Sequence, residues 1–419
     1  MHRTFLPVSI RALAFNPERR RRVFLVGLPL VFVTAFKLWL SLTTFGTNDV
    51  KYWNTFMDYI VAHGSVTIYR DIWYYNHPPL MSGLLWLLSP LVRHAPNGFP
   101  FLIRLPAICA DVVSVIVTYR LVRFAWSERR ALVCAIGVAL SPILVMVSGF
   151  HGNTDPLFMC LVLLAADRLV IGRKAVVAGM ILGLAINVKL VPLIVVPVFF
   201  FHLRTLAARV RFVFALVIVV LAGFGYHVLV AYPYMKKNVF DYAGLKGIWG
   251  ITELCAAGYP DIVSLRGASV LKKLIALFIT ARAVMLAWPG RAQDSPAAAR
   301  RFLGAIGWTF LIFLLLTPGF GVQYLAWLAI ATFLCAPIGA IGFNLLGGAF
   351  MFSIYHYWNR GFPWNFADSD TVGAWRAPQA LFGRVAWIYL VVWATLMIRE
   401  AWTGRRRAAS EETAGGGQP

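Results

Sequence analysis

Apolar residues run in long blocks along almost the whole chain, separated by short clusters of Arg, Lys, Pro and Gly. A helix that crosses the hydrocarbon core of a bilayer needs ~20 mostly apolar residues. The stretch 23–45 meets that requirement alone. The pattern predicts helices over 23–45, 102–124, 131–149, 155–171, 175–187, 190–203, 212–231, 268–288, 302–318, 323–337, 338–354 and 381–399. It therefore predicts an all-α polytopic membrane protein with about 12 transmembrane helices. Pro79–Val92 is too short to span and predicts a helix lying in the interface or dipping part-way into it.

Two predicted helices stand out for their length. Segments 175–187 and 190–203 each cover only ~20 Å of a ~30 Å core. Their junction, near Asn187 and Lys189, should then lie below the outer surface. Irregular backbone and a cation at that depth need a polar cavity.

Composition agrees with the pattern. Hydrophobic residues make up 60% of the 419 positions and charged residues 13%, against ~25% charged in soluble domains. A soluble domain is excluded. The net charge of +22 has a topological cause, because Lys and Arg collect in cytoplasmic loops; no nucleic-acid partner is expected. With the N-terminus inside, Arg120, Arg123, Arg129, Arg130, Arg173, Lys174 and Arg405–Arg407 all face the cytoplasm. The chain then divides into a cytoplasmic segment 1–22, a membrane domain 23–403 and a cytoplasmic disordered tail 404–419. Its long outward segments are 46–101, 232–267 and 355–380. Short loops and high Arg content point to a bacterial plasma membrane. Five scattered cysteines show no redox or metal spacing.

The polar residues that break the apolar pattern gather on the outward side. Asp49 stands just past the first helix, in Thr47-Asn48-Asp49. Tyr52, Phe56, Tyr59 and Ile60 follow at helical spacing and predict an amphipathic surface helix. The loop closes with Tyr74-Tyr75-Asn76-His77-Pro78-Pro79-Leu80. Further candidates are His151, Asn153 and Asp155 in His151-Gly152-Asn153-Thr154-Asp155, then Lys189, then Gln323 and Tyr324 in a later turn. A carboxylate such as Asp49 can act as general base toward a hydroxyl. A Lys such as Lys189 can neutralise a phosphate leaving group. Alternatively, Asp49 and Asp155 together could hold a divalent cation. Tyr, Trp, Asn and His in the loop suit a sugar. Asp111, in mid-helix, needs a partner, and Arg104 two turns away reads as its structural pair.

The order of these motifs carries a resemblance. The chain runs TND, YNHPPL, RLPAICAD, SGFHGNTDPL, LGLAINVKLVPLIVVPVFF and GVQYLAW. That series resembles the GT-C superfamily of polyprenyl-phosphate-sugar-dependent glycosyltransferases. Within it, the chain is similar to dolichyl-phosphate-glucose glucosyltransferases and to bacterial mannosyl- and aminoarabinosyl-type transferases. The resemblance implies a GT-C-type bundle and an inverting hexosyltransferase acting at the extracytoplasmic face. The donor would be a polyprenyl-phosphate-linked sugar, and the acceptor a hydroxyl of a lipid-linked or cell-envelope glycan. Asp49 becomes the catalytic candidate. His151, Asn153, Asp155 and Lys189 become donor-phosphate or acceptor-site candidates, joined by His77, Tyr75, Gln323 and Tyr324 from the polar motifs themselves. No cofactor beyond the alternative divalent cation is implied. The competing class is a transporter or flippase for a glycolipid, which would place charges in a cavity reached from both sides.

Overall fold

The structure, a computed structural model, describes residues 17–94, 98–242, 244–256, 265–287, 295–373 and 375–415. Its helices in chain order are α1 (Pro17–Thr43), α2 (Asn48–His63), α3 (Thr67–Asp71), α4 (Pro79–His94), α5 (Phe99–Ala125), α6 (Glu128–Ala139), α7 (Pro142–Met146), α8 (Asp155–Val170), α9 (Ala175–Val188), α10 (Val196–His202), α11 (Leu206–Met235), α12 (Gly250–Ala256), α13 (Leu265–Val284), α14 (Pro296–Leu316), α15 (Leu325–Ala331), α16 (Pro337–Trp358), α17 (Ser369–Val372) and α18 (Ala377–Gly415). It is an all-α polytopic membrane protein.

Each predicted segment is helical over most of its described residues. Seven helical stretches among the described residues are long and apolar enough to cross a bilayer, with 175–188, 191–202 and 322–334 as shorter apolar helices. The difference from about twelve spans is mostly one of length; α13 is 20 residues long but carries Arg266, Lys272, Lys273 and Arg282. Short helices need partners to cover their ends, and polar backbone at membrane depth must face protein. α18 continues to Gly415, through part of the segment expected to be a disordered tail; its Ala, Arg and Glu residues are good helix formers.

α1 shows how the chain meets lipid. Leu28, Val31, Phe32, Phe36, Trp39 and Leu42 are exposed, whereas Val33, Lys37, Ser41 and Thr44 are buried at helical spacing. The polar stripe faces protein and the apolar stripe faces outward, the reverse of a soluble helix. α5 packs against α1, α6 and α8, and α9 lies between α8 and α11.

Asp111 does find a partner, but a different one from that expected. Lys37 Nζ lies 2.6 Å from Asp111 Oδ2, with both side chains almost fully buried. Seven residues along one helix separate Arg104 from Asp111 by ~10 Å, too far for the two to pair. Arg104 instead donates to the carbonyls of Thr44 (2.7 Å), Phe45 and Gly149 (2.9 Å). It binds the end of α1 to the turn that follows α7. Ser148 of that turn also donates to Asp111. α5 thus ties the end of α1 to the turn that follows α7.

A two-residue parallel ladder closes the same end. β1 (Gly46–Thr47) pairs with β2 (Phe366–Ala367) in the register Gly46↔Phe366 and Thr47↔Ala367. Asn48 then donates to Asp368 (3.2 Å) and accepts from the Ser369 N–H (2.7 Å). Residues 365–370 form a strap over the start of α2.

Candidate active site

Asp49 lies in the first turn of α2, which Thr47 caps: the Thr47 hydroxyl accepts from Asp49 N–H and donates to the carbonyl of His151 at 2.8 Å. One side chain therefore ties the start of α2 to the second polar motif. That motif leaves α7 as a π-helical turn, Val147–His151, and ends at Gly152 with φ +81°. A Cβ at Gly152 would lie 2.4 Å from Val50 Cγ2. Only glycine lets the turn approach α2 this closely. The widened turn aims His151 at Asp49.

The Asp49 carboxylate is gripped on one oxygen. Oδ2 lies 2.9 Å from His151 Nε2 and accepts from Asn153 Nδ2 at 2.6 Å. His151 Nδ1 in turn meets the Tyr355 hydroxyl at 2.6 Å. The side chain of Asp49 stays 31% exposed, and no hydrogen bond to its Oδ1 occurs among the described residues. Burial alone would raise the Asp49 pKa. The nearby His151 ring, the Asn153 amide and, farther off, His77 outweigh it and hold the carboxyl at about 2, against its ordinary 3.8.

The second half of the site is an ion pair. α9 ends at Val188 and Lys189 is extended, as the short-helix pattern requires. Lys189 Nζ lies 2.6 Å from Asp155 Oδ1 at the start of α8, where Asp155 is fully buried and Lys189 is 16% exposed. Trp327 Nε1 donates to the same oxygen at 2.8 Å. The ammonium also lies 5.2 Å from the centre of the Tyr324 ring and 5.7 Å from that of Trp327. Trp327 and Tyr355 are further candidates that sequence reasoning passed over, touching Asp155 and His151; each sits in an apolar run like any buried aromatic.

His77 joins the two halves. Its ring lies tilted against Trp53 with centroids 4.0 Å apart. Burial first, and then the charge of Lys189, push its pKa down to about 3 from an ordinary 6.5, although Asp49 pulls the other way. His77 therefore lies neutral within electrostatic reach of both Lys189 and Asp49. Tyr242, also missed by sequence reasoning, borders Tyr324 and Asn76. Burial and the nearby Asp49 carboxylate raise its pKa.

The His77 shift has a consequence for stability. The folded pKa lies below the unfolded one, so the unfolded chain binds the extra proton. Stability from this group is complete above pH 6.5 and is lost as pH falls toward 3. The apparent melting temperature should fall through that window, and less steeply in His77→Gln. Equal slopes for both proteins would remove His77 as a source of the loss.

The other candidates fall elsewhere. Tyr75 is fully buried with its hydroxyl 2.7 Å from Ser82; it packs α4 against α2. Its neighbour Tyr74 is the outward-facing ring, 37% exposed. Gln323 folds back over Gly321. For the alternative of a divalent cation shared by Asp49 and Asp155, Asp155 Oδ1 already holds an ammonium and an indole N–H, whereas Asp155 Oδ2 is buried with no hydrogen-bond partner among the described residues. Among the described residues no group of three or more His, Cys, Asp or Glu is placed to hold a metal ion.

Comparison with known proteins bears on the same segment. No curated protein matches the chain. Residues 76–230 match the family model of dolichyl-phosphate-mannose-protein mannosyltransferase. That span holds His77, His151, Asn153, Asp155 and Lys189, while Asp49 precedes it. Motif order and family model agree: over residues 76–230 this membrane protein matches the dolichyl-phosphate-mannose-protein mannosyltransferase family, part of the GT-C superfamily of glycosyltransferases.

Proposed function

We propose that the protein moves a hexose-type sugar from a polyprenyl-phosphate donor to a hydroxyl of a glycan or glycolipid, at the extracytoplasmic face of the membrane. The observation that carries this reading is the pairing of opposite chemistries on either side of His77. Asp49 offers a carboxylate oxygen, and Lys189 a cation, with neutral His77 within reach of both.

In this reading the donor phosphate sits at Lys189 and its polyprenyl tail lies against the exposed apolar faces of the membrane helices. The acceptor hydroxyl gives its proton to Asp49 Oδ1. Its oxygen bonds to the anomeric carbon as the bond from that carbon to the phosphate oxygen breaks. The electron pair leaves with the polyprenyl phosphate, whose charge Lys189 stabilises. His151 and Asn153 hold the carboxylate in place, and Tyr355 holds His151. A single displacement inverts the anomeric centre.

The test is a donor panel. Purified protein in vesicles would receive radiolabelled polyprenyl-phosphate sugars and a membrane lipid extract as acceptor. Transfer of label from one donor, with inverted configuration in the product, is the expected result. A product of retained configuration would contradict the single displacement. Label that crosses the vesicle membrane still attached to its lipid would replace transfer with transport.

A further inference from the structure

Asp49 has two flanks along α2, and only one is accounted for by the donor reading. The flank toward Trp53 carries His77 and, beyond it, Lys189. The other flank begins at Tyr52, one turn on from Asp49. The Tyr52 ring lies 5.4 Å from the Tyr74 ring, and Tyr74 lies 5.6 Å from Trp73. Trp73 is 74% exposed and Tyr74 37% exposed. These rings form a shelf beside Asp49 that is open to the outside.

The shelf has a carboxylate edge held in place from far away in the chain. Asp370 Oδ2 accepts from the Tyr52 hydroxyl at 2.7 Å. Asp370 is placed there by the strap: the β1–β2 ladder, the Asn48–Asp368 bond and the Asp368 cap of α17. Such an arrangement is preorganised, because neither the rings nor the carboxylate must be ordered on binding.

We propose that this shelf is the acceptor subsite, and that it takes a neutral pyranose ring. The inference rests on the transferase reading above. In a direct displacement the acceptor and the leaving phosphate lie on opposite sides of the anomeric carbon. With phosphate at Lys189, the acceptor enters from the Tyr52 flank. The ligand class follows from the surface chemistry. An aromatic face covers the C–H face of a sugar ring, and carboxylate oxygens accept from its hydroxyls. The carboxylates of Asp368 and Asp370 repel an anionic headgroup. A groove of about 570 Å³ lies nearby, lined by Lys51, Asn54 and Thr55. Those residues fall on the face of α2 opposite Asp49 by helical spacing, so an acceptor there would not reach the base.

The experiment compares acceptors and variants with one donor. Full-length protein would be given radiolabelled polyprenyl-phosphate mannose with either an alkyl mannoside or a Ser/Thr-rich peptide. Transfer to the mannoside is expected. Tyr74→Ala and Asp370→Asn should each raise the mannoside KM about tenfold, well beyond any change in the donor KM. Tyr74→Trp, which keeps a ring face, should restore it. Transfer to the peptide and not the mannoside, or an unchanged mannoside KM in both variants, overturns the subsite while leaving the transferase standing. Donor left intact with both acceptors, for mannose and for every other sugar of the donor panel, overturns the transferase reading and the subsite with it.

Discussion

Asp49→Asn is expected to lower turnover by about 10³-fold, inside the ~10²–10⁴ range for a lost general base. Asn has the same shape and can still accept from Asn153, so the turn beside it should persist. Expression should be unchanged, and the apparent melting temperature should move by no more than about 2–4 °C, the shift expected for ~1 kcal/mol. A carboxyl held at about 2 is a weak base toward a resting alcohol. It is sufficient here because the acceptor proton becomes acidic as its oxygen bonds to the electron-poor anomeric carbon. An anionic phosphodiester arriving at Lys189 also raises the carboxyl pKa by like charge. The low value has a further consequence: Asp49 stays ionised through the mildly acidic range, so any acid limb of kcat/KM there belongs to another group. Turnover within tenfold of the native protein in Asp49→Asn would end its role as base.

Lys189→Met should act on both stability and chemistry. Asp155 is fully buried 2.6 Å from the ammonium. Removing the cation leaves a buried carboxylate with only the Trp327 N–H on that oxygen. Breaking a buried pair from one side costs about 3–5 kcal/mol, enough to lower the yield of folded protein. Lys189→Met combined with Asp155→Asn removes both charges and should recover most of that stability. Transfer should nevertheless remain down by about 10²-fold or more, because the leaving phosphate has lost its cation. The double variant separates the two roles. Restored folding with restored transfer would make Lys189 a counter-ion alone.

Much of this protein was legible in its sequence. Runs of apolar residues specify helices because no other open backbone form satisfies its hydrogen bonds in lipid. The short pair around Lys189 located a break by length alone, since two helices of that size cannot reach across the core. Asp49, His151, Asn153, Asp155 and Lys189 stood out because each interrupts an apolar pattern where a charge or amide is costly. The structure brings Asp49 together with His151 and Asn153, and Asp155 together with Lys189.

What tertiary structure decided was partnership. Asp111 needs a cation, and both Arg104 and Lys37 were present; only the packing of α1 on α5 chose Lys37. Tyr355 reaches His151 across 204 residues and Trp327 reaches Asp155 across 172. Both look like ordinary core aromatics because periodicity records which face is apolar, not which polar atom meets a ring. In the Tyr74-Tyr75 pair, adjacent residues of one type, the burial of one and the exposure of the other followed from how α4 docks on α2. The strap at 365–370 left no local signal at all. Its ladder to Gly46–Thr47 spans 320 residues, and a two-residue strand has too few side chains to show alternation. Local patterning in a bilayer specifies which segments are helices and which positions are polar; the long-range contacts that turn those positions into a site depend on how the helices pack.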